Sequence, residues 1–120
     1  MNIQGRCLCG KISYQVVGTL LDMLNCHCSM CRKSQGTAFS TWIAVERKLC
    51  SIVSEVNLQS FASSKEVTRY FCCKCGSNLF WQRNPRLIWV AAGTLDTDPG
   101  IQPSRDIFLE DKVNWYTNKN

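Results

Sequence analysis

Nine cysteines in 120 residues constrain this chain more than any other feature. Eight of them fall into three short clusters: Cys7-Leu8-Cys9-Gly10, Cys26-His27-Cys28-Ser29-Met30-Cys31 and Cys72-Cys73-Lys74-Cys75-Gly76, while Cys50 stands alone. The odd count, with no apolar leader ahead of Arg6 and Cys7, argues against a disulfide framework and for metal ligands or reactive thiols. The longest apolar run, residues 87–92, falls far short of the roughly 20 residues a spanning helix needs. The expectation is a cytoplasmic chain with no membrane association.

Thiolates two or three residues apart converge on one ion only if the backbone turns tightly between them. The glycines after Cys9 and Cys75 suit such turns, because glycine accepts positive φ without a Cβ penalty. Amides in the turn then point at the sulfurs and help hold them deprotonated. Zinc takes four ligands in a closed structural site, and three protein ligands plus an open position in a catalytic one. Seven cysteines at ligand spacing divide accordingly. The two paired clusters, Cys7/Cys9 and Cys72/Cys75, make one closed site. Cys26, Cys28 and Cys31 make a second site whose fourth position falls to His27, a distant residue, water or a substrate. Neighbouring side chains on extended backbone point opposite ways, so His27 is expected to face away from the ligand cysteines on either side. A closed second structural zinc that includes His27 stays open at this stage. Cys73 reads as a spacer, although a register using Cys73 in place of Cys72 stays open, and Cys50 reads as a small buried hydrophobe.

The rest of the chain reads as short strands, over residues 11–17, 39–45, 56–62, 67–72, 78–82, 87–92 and 107–109, with another over 114–116. Helical periodicity is confined to a turn or two around residues 29–34. Nothing resembling a linker divides the chain, so residues 1–120 read as a single all-β, zinc-pinned domain. Trp42, Trp81, Trp89 and Trp115 are expected to pack in its core. The formal charge of +5, from 14 Lys+Arg against 9 Asp+Glu, is a weak sign of an anionic partner. Zinc on four thiolates and zinc on three together remove about three of those charges. A nucleic-acid partner is therefore disfavoured.

The clusters, in this order, resemble the glutathione-dependent formaldehyde-activating enzyme family, which includes the centromere protein V-like domains. The resemblance is carried by residues 5–10, the segment Cys26 to Gly36, residues 71–77, Gly93-Thr94-Leu95-Asp96 and a late aromatic segment ending in Trp115. It implies a β-rich fold like that of the small zinc-binding guanine-nucleotide-exchange chaperones. It also implies a structural zinc on Cys7, Cys9, Cys72 and Cys75 and a catalytic zinc on Cys26, Cys28 and Cys31. The activity it implies is a carbon–sulfur lyase-type reaction, the condensation of glutathione with formaldehyde to S-hydroxymethylglutathione.

On this reading the partners are a small thiol such as glutathione and a small aldehyde. Arg32 and Lys33 are expected to attract a carboxylate-bearing thiol, and Arg32, Ser34 or Gln35 to stabilise the developing alkoxide. The alternative is a non-catalytic, zinc-stabilised binding module for a protein or nucleic acid. A zinc-bearing methionine sulfoxide reductase would need a reactive cysteine on a late strand, and no cysteine follows Cys75.

Overall fold

Strand-forming segments dominate the chain because apolar residues alternate over short runs bounded by turns. The structure, a computed structural model, describes residues 2–117. Its strands are β1 (Asn2–Arg6), β2 (Ser13–Val17), β3 (Asp22–Cys26), β4 (Ser40–Glu46), β5 (Cys50–Val53), β6 (Leu58–Ala62), β7 (Thr68–Cys72), β8 (Asn78–Gln82), β9 (Leu87–Ala91) and β10 (Arg105–Ile107). One short helix, α1 (Ser29–Gln35), separates β3 from β4.

Two sheets result. A three-stranded antiparallel sheet has the order β1-β2-β5, and a seven-stranded sheet has the order β10-β3-β4-β9-β8-β7-β6. All pairings in the larger sheet are antiparallel except that of β10 with β3. Alternation along β4 and β9 gives the larger sheet two buried faces. Ile43, Val45, Ile88 and Val90 pack against Ile3, Tyr14 and Val16 of the small sheet and Ile12 just before it. Trp42 and Ala91 point the other way and form a second cluster with Leu24, Cys26 and Cys31. Each apolar side chain buried this fully contributes about 1.5–3 kcal/mol. The architecture thus places Cys7 and Cys72 in the inter-sheet core and the three-cysteine segment on the opposite face.

The all-β reading holds, with strands β2, β4, β7, β8 and β9 within a residue or two of expectation. The segment read as a strand over 56–62 begins as a 3₁₀ turn, and pairing starts only at Leu58. The late strand lies at Arg105–Ile107 rather than 107–109, because Phe108 adopts φ 57° and breaks the extended backbone. The expected strand over 114–116 is instead a turn and coil. Trp42 is 1% exposed as expected, but Trp115 is 73% exposed and lies outside the core. Trp81 and Trp89 are half-buried and stack face to face, with centroids 5.0 Å apart.

Three strands had no clear sequence signal. In β1 the inward positions are Ile3 and Gly5, and glycine hides the alternation. It is required there, because a methyl group at Gly5 would run into the Tyr14 hydroxyl and the Thr94 carbonyl. In β3 only Leu24 and Cys26 are fully buried, among the poor strand formers Asp22 and Asn25. In β5, Cys50 and Ile52 are the inward residues of a four-residue strand too short to show a period.

Candidate metal centres

Two backbone turns of similar design meet where β1 leaves the small sheet and β7 turns into β8. The Cys7 amide donates to the Ile12 carbonyl at 3.0 Å, and the Gly10 amide returns to the Cys7 carbonyl at 3.0 Å. In the second turn the Cys72 amide donates to the Ser77 carbonyl at 3.0 Å and the Gly76 amide to the Cys72 carbonyl at 2.8 Å. Gly10 and Gly76 have φ of 79° and 78°, which glycine adopts without strain. Further amides point at sulfur: Ile12 N–H at Cys7 Sγ and Lys74 N–H at Cys72 Sγ, both at 3.4 Å. The Leu8 amide donates to Ser77 Oγ at 3.0 Å and joins one turn to the other.

The sulfurs of Cys7, Cys9, Cys72 and Cys75 consequently lie within 4.8 Å of one another. Cys9 is 3.6 Å from Cys7 and 3.8 Å from Cys72. A tetrahedron with zinc–sulfur bonds of ordinary length has sulfur–sulfur edges of about 3.8 Å, so the donor set fits a closed zinc site. The Ser77 hydroxyl, followed by backbone amides, lowers the Cys75 thiol to about 5. Cys73 is exposed and outside the group, with its amide donating to the Asn57 carbonyl at 2.8 Å. Cys50 is far from either cluster in role: it is buried in β5, and burial pushes its thiol up to about 11.

The second group is built from the end of β3 and the start of α1. Cys26, Cys28 and Cys31 also bring their sulfurs within 4.8 Å of one another, with Cys26 and Cys28 3.4 Å apart. Cys28 is the N-cap of α1, its sulfur accepting from the Cys31 amide at 3.3 Å. Gly36 ends the helix with φ 68°, and Asn78 Nδ2 donates to the Ser34 carbonyl at 2.6 Å. The helix that carries Cys31 is therefore fastened at both ends. Three convergent sulfurs are a thiolate donor set with one side left for another ligand, which suits zinc in an open site.

The surroundings favour a thiolate at Cys31. Its thiol is lowered to about 5, first by the Cys26 thiol and then by the Ser40 hydroxyl and the Arg69 guanidinium, against the opposing effect of burial. Cys26 is raised correspondingly, by Cys31 and by burial. Ser40 in turn accepts the Trp42 indole N–H at 2.6 Å. Arg69, from β7, is 5% exposed and places Nη2 3.5 Å from Cys31 Sγ. From sequence Arg69 is one of five basic residues near the motif segments and reads, with most charged residues, as solvated surface; its burial corrects that reading.

His27 is buried, and its Nε2 lies 2.9 Å from Asp106 Oδ1 on β10. It is not a member of the three-sulfur group. Its ring packs on Phe39, with centroids 4.9 Å apart, and Phe39 packs on Tyr116. Of the residues expected to meet substrate, Gln35 lines a cavity of about 360 Å³ together with Phe39, Ser40, Thr41, Asn78 and Thr94. Ser40 pairs in register with Cys26, and Ser77 connects the same cavity to the four-cysteine turn. Among the described residues no charged side chain lines it. Arg32 is half-buried with its Nε unpartnered, Lys33 is exposed, and the Ser34 hydroxyl donates to the Cys31 carbonyl at 3.3 Å.

A β protein with one group of four convergent cysteines and one of three defines a class: a small β domain with two candidate metal centres. Comparison with known proteins narrows it. The sequence profile of the glutathione-dependent formaldehyde-activating enzymes matches residues 2–111, and the chain belongs to that family. It is 29% identical to a Halomonas elongata protein that carries the family's name, over 96% of this chain and 80% of the relative. It is 26% identical to an uncharacterized lyase of Schizosaccharomyces pombe, over 94% of this chain and 82% of the relative. A crystal structure of a Rhodobacter sphaeroides protein superposes with a TM-score of 0.67 at 27% identity, covering 83% of this chain and 97% of that one. Among the described residues no helix is long and apolar enough to cross a membrane.

Proposed function

We propose that this chain is a zinc-dependent enzyme of the carbon–sulfur lyase class that joins a small thiol to a small aldehyde, with glutathione and formaldehyde as the pair. The observation that carries the reading is the convergence of three sulfurs where β3 passes into α1, with Ser40, in register with Cys26, and Gln35 of the same helix lining a cavity of neutral hydrogen-bonding groups. Family membership and a relative named as a lyase support the reaction class. Cys26, Cys28 and Cys31 would hold the reactive zinc, and Cys7, Cys9, Cys72 and Cys75 a structural one. A zinc ion held there would supply Lewis acidity and would favour the thiolate form of a substrate thiol at neutral pH.

The condensation makes one bond, from the thiol sulfur to the aldehyde carbon. The carbonyl π pair moves onto oxygen, and the proton released by the thiol ends there, with nothing oxidised or reduced. The protein's task is to orient the two reactants and to donate to the developing oxyanion. Gln35 is the donor we assign to that oxygen, since the neighbouring Thr41 hydroxyl and Asn78 amide are already engaged. Arg32 and Lys33, which follow Cys31 directly on α1, are assigned to attracting a carboxylate of the thiol substrate, with Ser34 keeping the helix turn in place. Nine unbridged cysteines suit the reducing cytoplasm, where we place the reaction. A direct test is the rate of formaldehyde capture by glutathione with and without enzyme, compared with capture by a thiol lacking carboxylates. Acceleration that favours glutathione and weakens in Gln35→Ala supports the assignment. Equal rates with and without enzyme refute it.

A further inference from the structure

Arg69 is a buried cation with no carboxylate beside it among the described residues. It is 5% exposed, and none of the ion pairs among the described residues includes it. Its Nε donates to the neutral Ser63 hydroxyl at 3.1 Å, and its guanidinium carbon sits 6.0 Å from the centroid of the Trp42 ring. Both contacts orient the group, yet neither supplies an opposite full charge. An unpaired charge in a low-dielectric interior is strongly unfavourable, and guanidinium does not shed its proton to escape. Among the described residues the one ionisable partner it touches is Cys31 Sγ, at 3.5 Å.

The charge balance around this contact is specific. A divalent ion on three thiolates carries one negative charge, and one guanidinium cancels it. Among the described residues the four-cysteine group shows no comparable contact: its sulfurs take hydrogen bonds from backbone amides and Ser77, and although Cys7 and Cys72 are buried, it opens to solvent at exposed Cys9 and half-buried Cys75. On that side water and the backbone amides disperse the greater negative charge.

We propose that Arg69 is a positioning residue that acts as the built-in counter-cation of the three-cysteine metal site, holding that site neutral so that it keeps its metal and still accepts an anionic fourth ligand. This rests on the reading that Cys26, Cys28 and Cys31 hold a metal ion. The thiolate form of a substrate thiol is the anionic ligand that fits. Without Arg69 the buried cluster would carry its full charge before that ligand arrived.

The test is metal retention, which does not depend on turnover. The zinc-loaded full-length protein is titrated with a chromophoric chelator, and release of each equivalent is followed separately. Cys28→Ser, which removes one sulfur from the second site, marks which equivalent belongs there. In Arg69→Gln that equivalent is expected to leave about 10–100-fold more readily, the range typical of lost outer contacts to a metal site. The four-cysteine equivalent is expected to stay unchanged. Arg69→Lys, which keeps the charge and loses the planar fork, is expected to stay within about threefold of wild type. The assignment is overturned if Arg69→Gln holds both equivalents as wild type does, or if glutamine and lysine variants lose the second equivalent alike. Should Arg69→Gln not fold, Arg69→Lys decides: retention within about threefold supports the charge role, and tenfold weakening contradicts it. Wild type that binds a single equivalent overturns the metal reading as well. Two equivalents indifferent to Arg69 overturn only the role given to this residue.

Discussion

At the scale of single residues, the cysteine spacing made most of the site legible. Spacing and cluster size separate a group of four cysteines from a group of three without any knowledge of the fold, and the sulfurs converge in those groups. Arg69 and Gly5 were illegible for the same reason: each matters through a residue distant in sequence, Cys31 for one and Tyr14 and Thr94 for the other. Gly5→Ala is predicted to destabilise the protein by roughly 1–3 kcal/mol, because the backbone carbonyl of Thr94 cannot swing aside as a side chain would. A urea titration that shows a lower midpoint at unchanged slope is the expected result. The thiols give a second prediction, for the reduced, metal-free protein. Cys31 is lowered to about 5 by Cys26, Ser40 and Arg69, and in the unfolded chain it returns to its ordinary value of 9.0. Between those values the unfolded state binds more protons, so stability rises with pH from about 5 to 9. The contribution is complete above the unfolded value and lost as pH falls through about 5. Cys26, raised in the fold, works in the opposite sense only above its own unfolded value. Thermal melts across this range should climb with pH; a flat profile would show that the sulfur cluster is not anionic in the fold.

At the scale of elements, α1 shows a residue with two tasks. Cys28 both caps the helix and offers a sulfur to the three-cysteine group. The two tasks separate by substitution. Serine is among the best N-caps, so Cys28→Ser keeps the cap and removes the thiolate, whereas Cys28→Ala removes both. The metal-free alanine variant is predicted to be about 1 kcal/mol less stable than the serine variant, and both are predicted to lose the same metal equivalent. Equal stabilities would mean that the sulfur is not a functioning cap. The strands were legible where period-two alternation ran uninterrupted, as in β2, or where a short apolar run was bounded by turn residues, as in β8 and β9. They were hidden where glycine, cysteine or asparagine occupied the informative positions, as in β1, β3 and β5. Strand β10 was misplaced because its pairing with β3 is parallel and distant, and its end is set by the positive φ of Phe108 rather than by hydrophobic pattern.

At the scale of the whole molecule, the two cysteine groups do different mechanical work. The four-cysteine group fastens the turn after β1 to the turn after β7, across more than sixty residues of chain, and so ties the small sheet to the large one. Metal bound there is folding free energy, since the unfolded chain presents no such site. Cys7→Ser is therefore predicted to lower the melting temperature by roughly 10 °C or more, beyond the effect of any single change in the other group. The three-cysteine group lies on the opposite face of the large sheet, where a loss of metal would leave the inter-sheet core intact. This division was visible in the sequence only as a count. Which group sits between the sheets depends on topology, and ten strands in two sheets are not deducible from the spacing of their residues. The most direct test of the account combines zinc content with the rate of S-hydroxymethylglutathione formation in wild type and Cys28→Ser. The account predicts that the variant keeps the structural zinc and the fold, loses the other zinc, and no longer accelerates the condensation. A variant that retains both zinc ions and the full wild-type rate would contradict it.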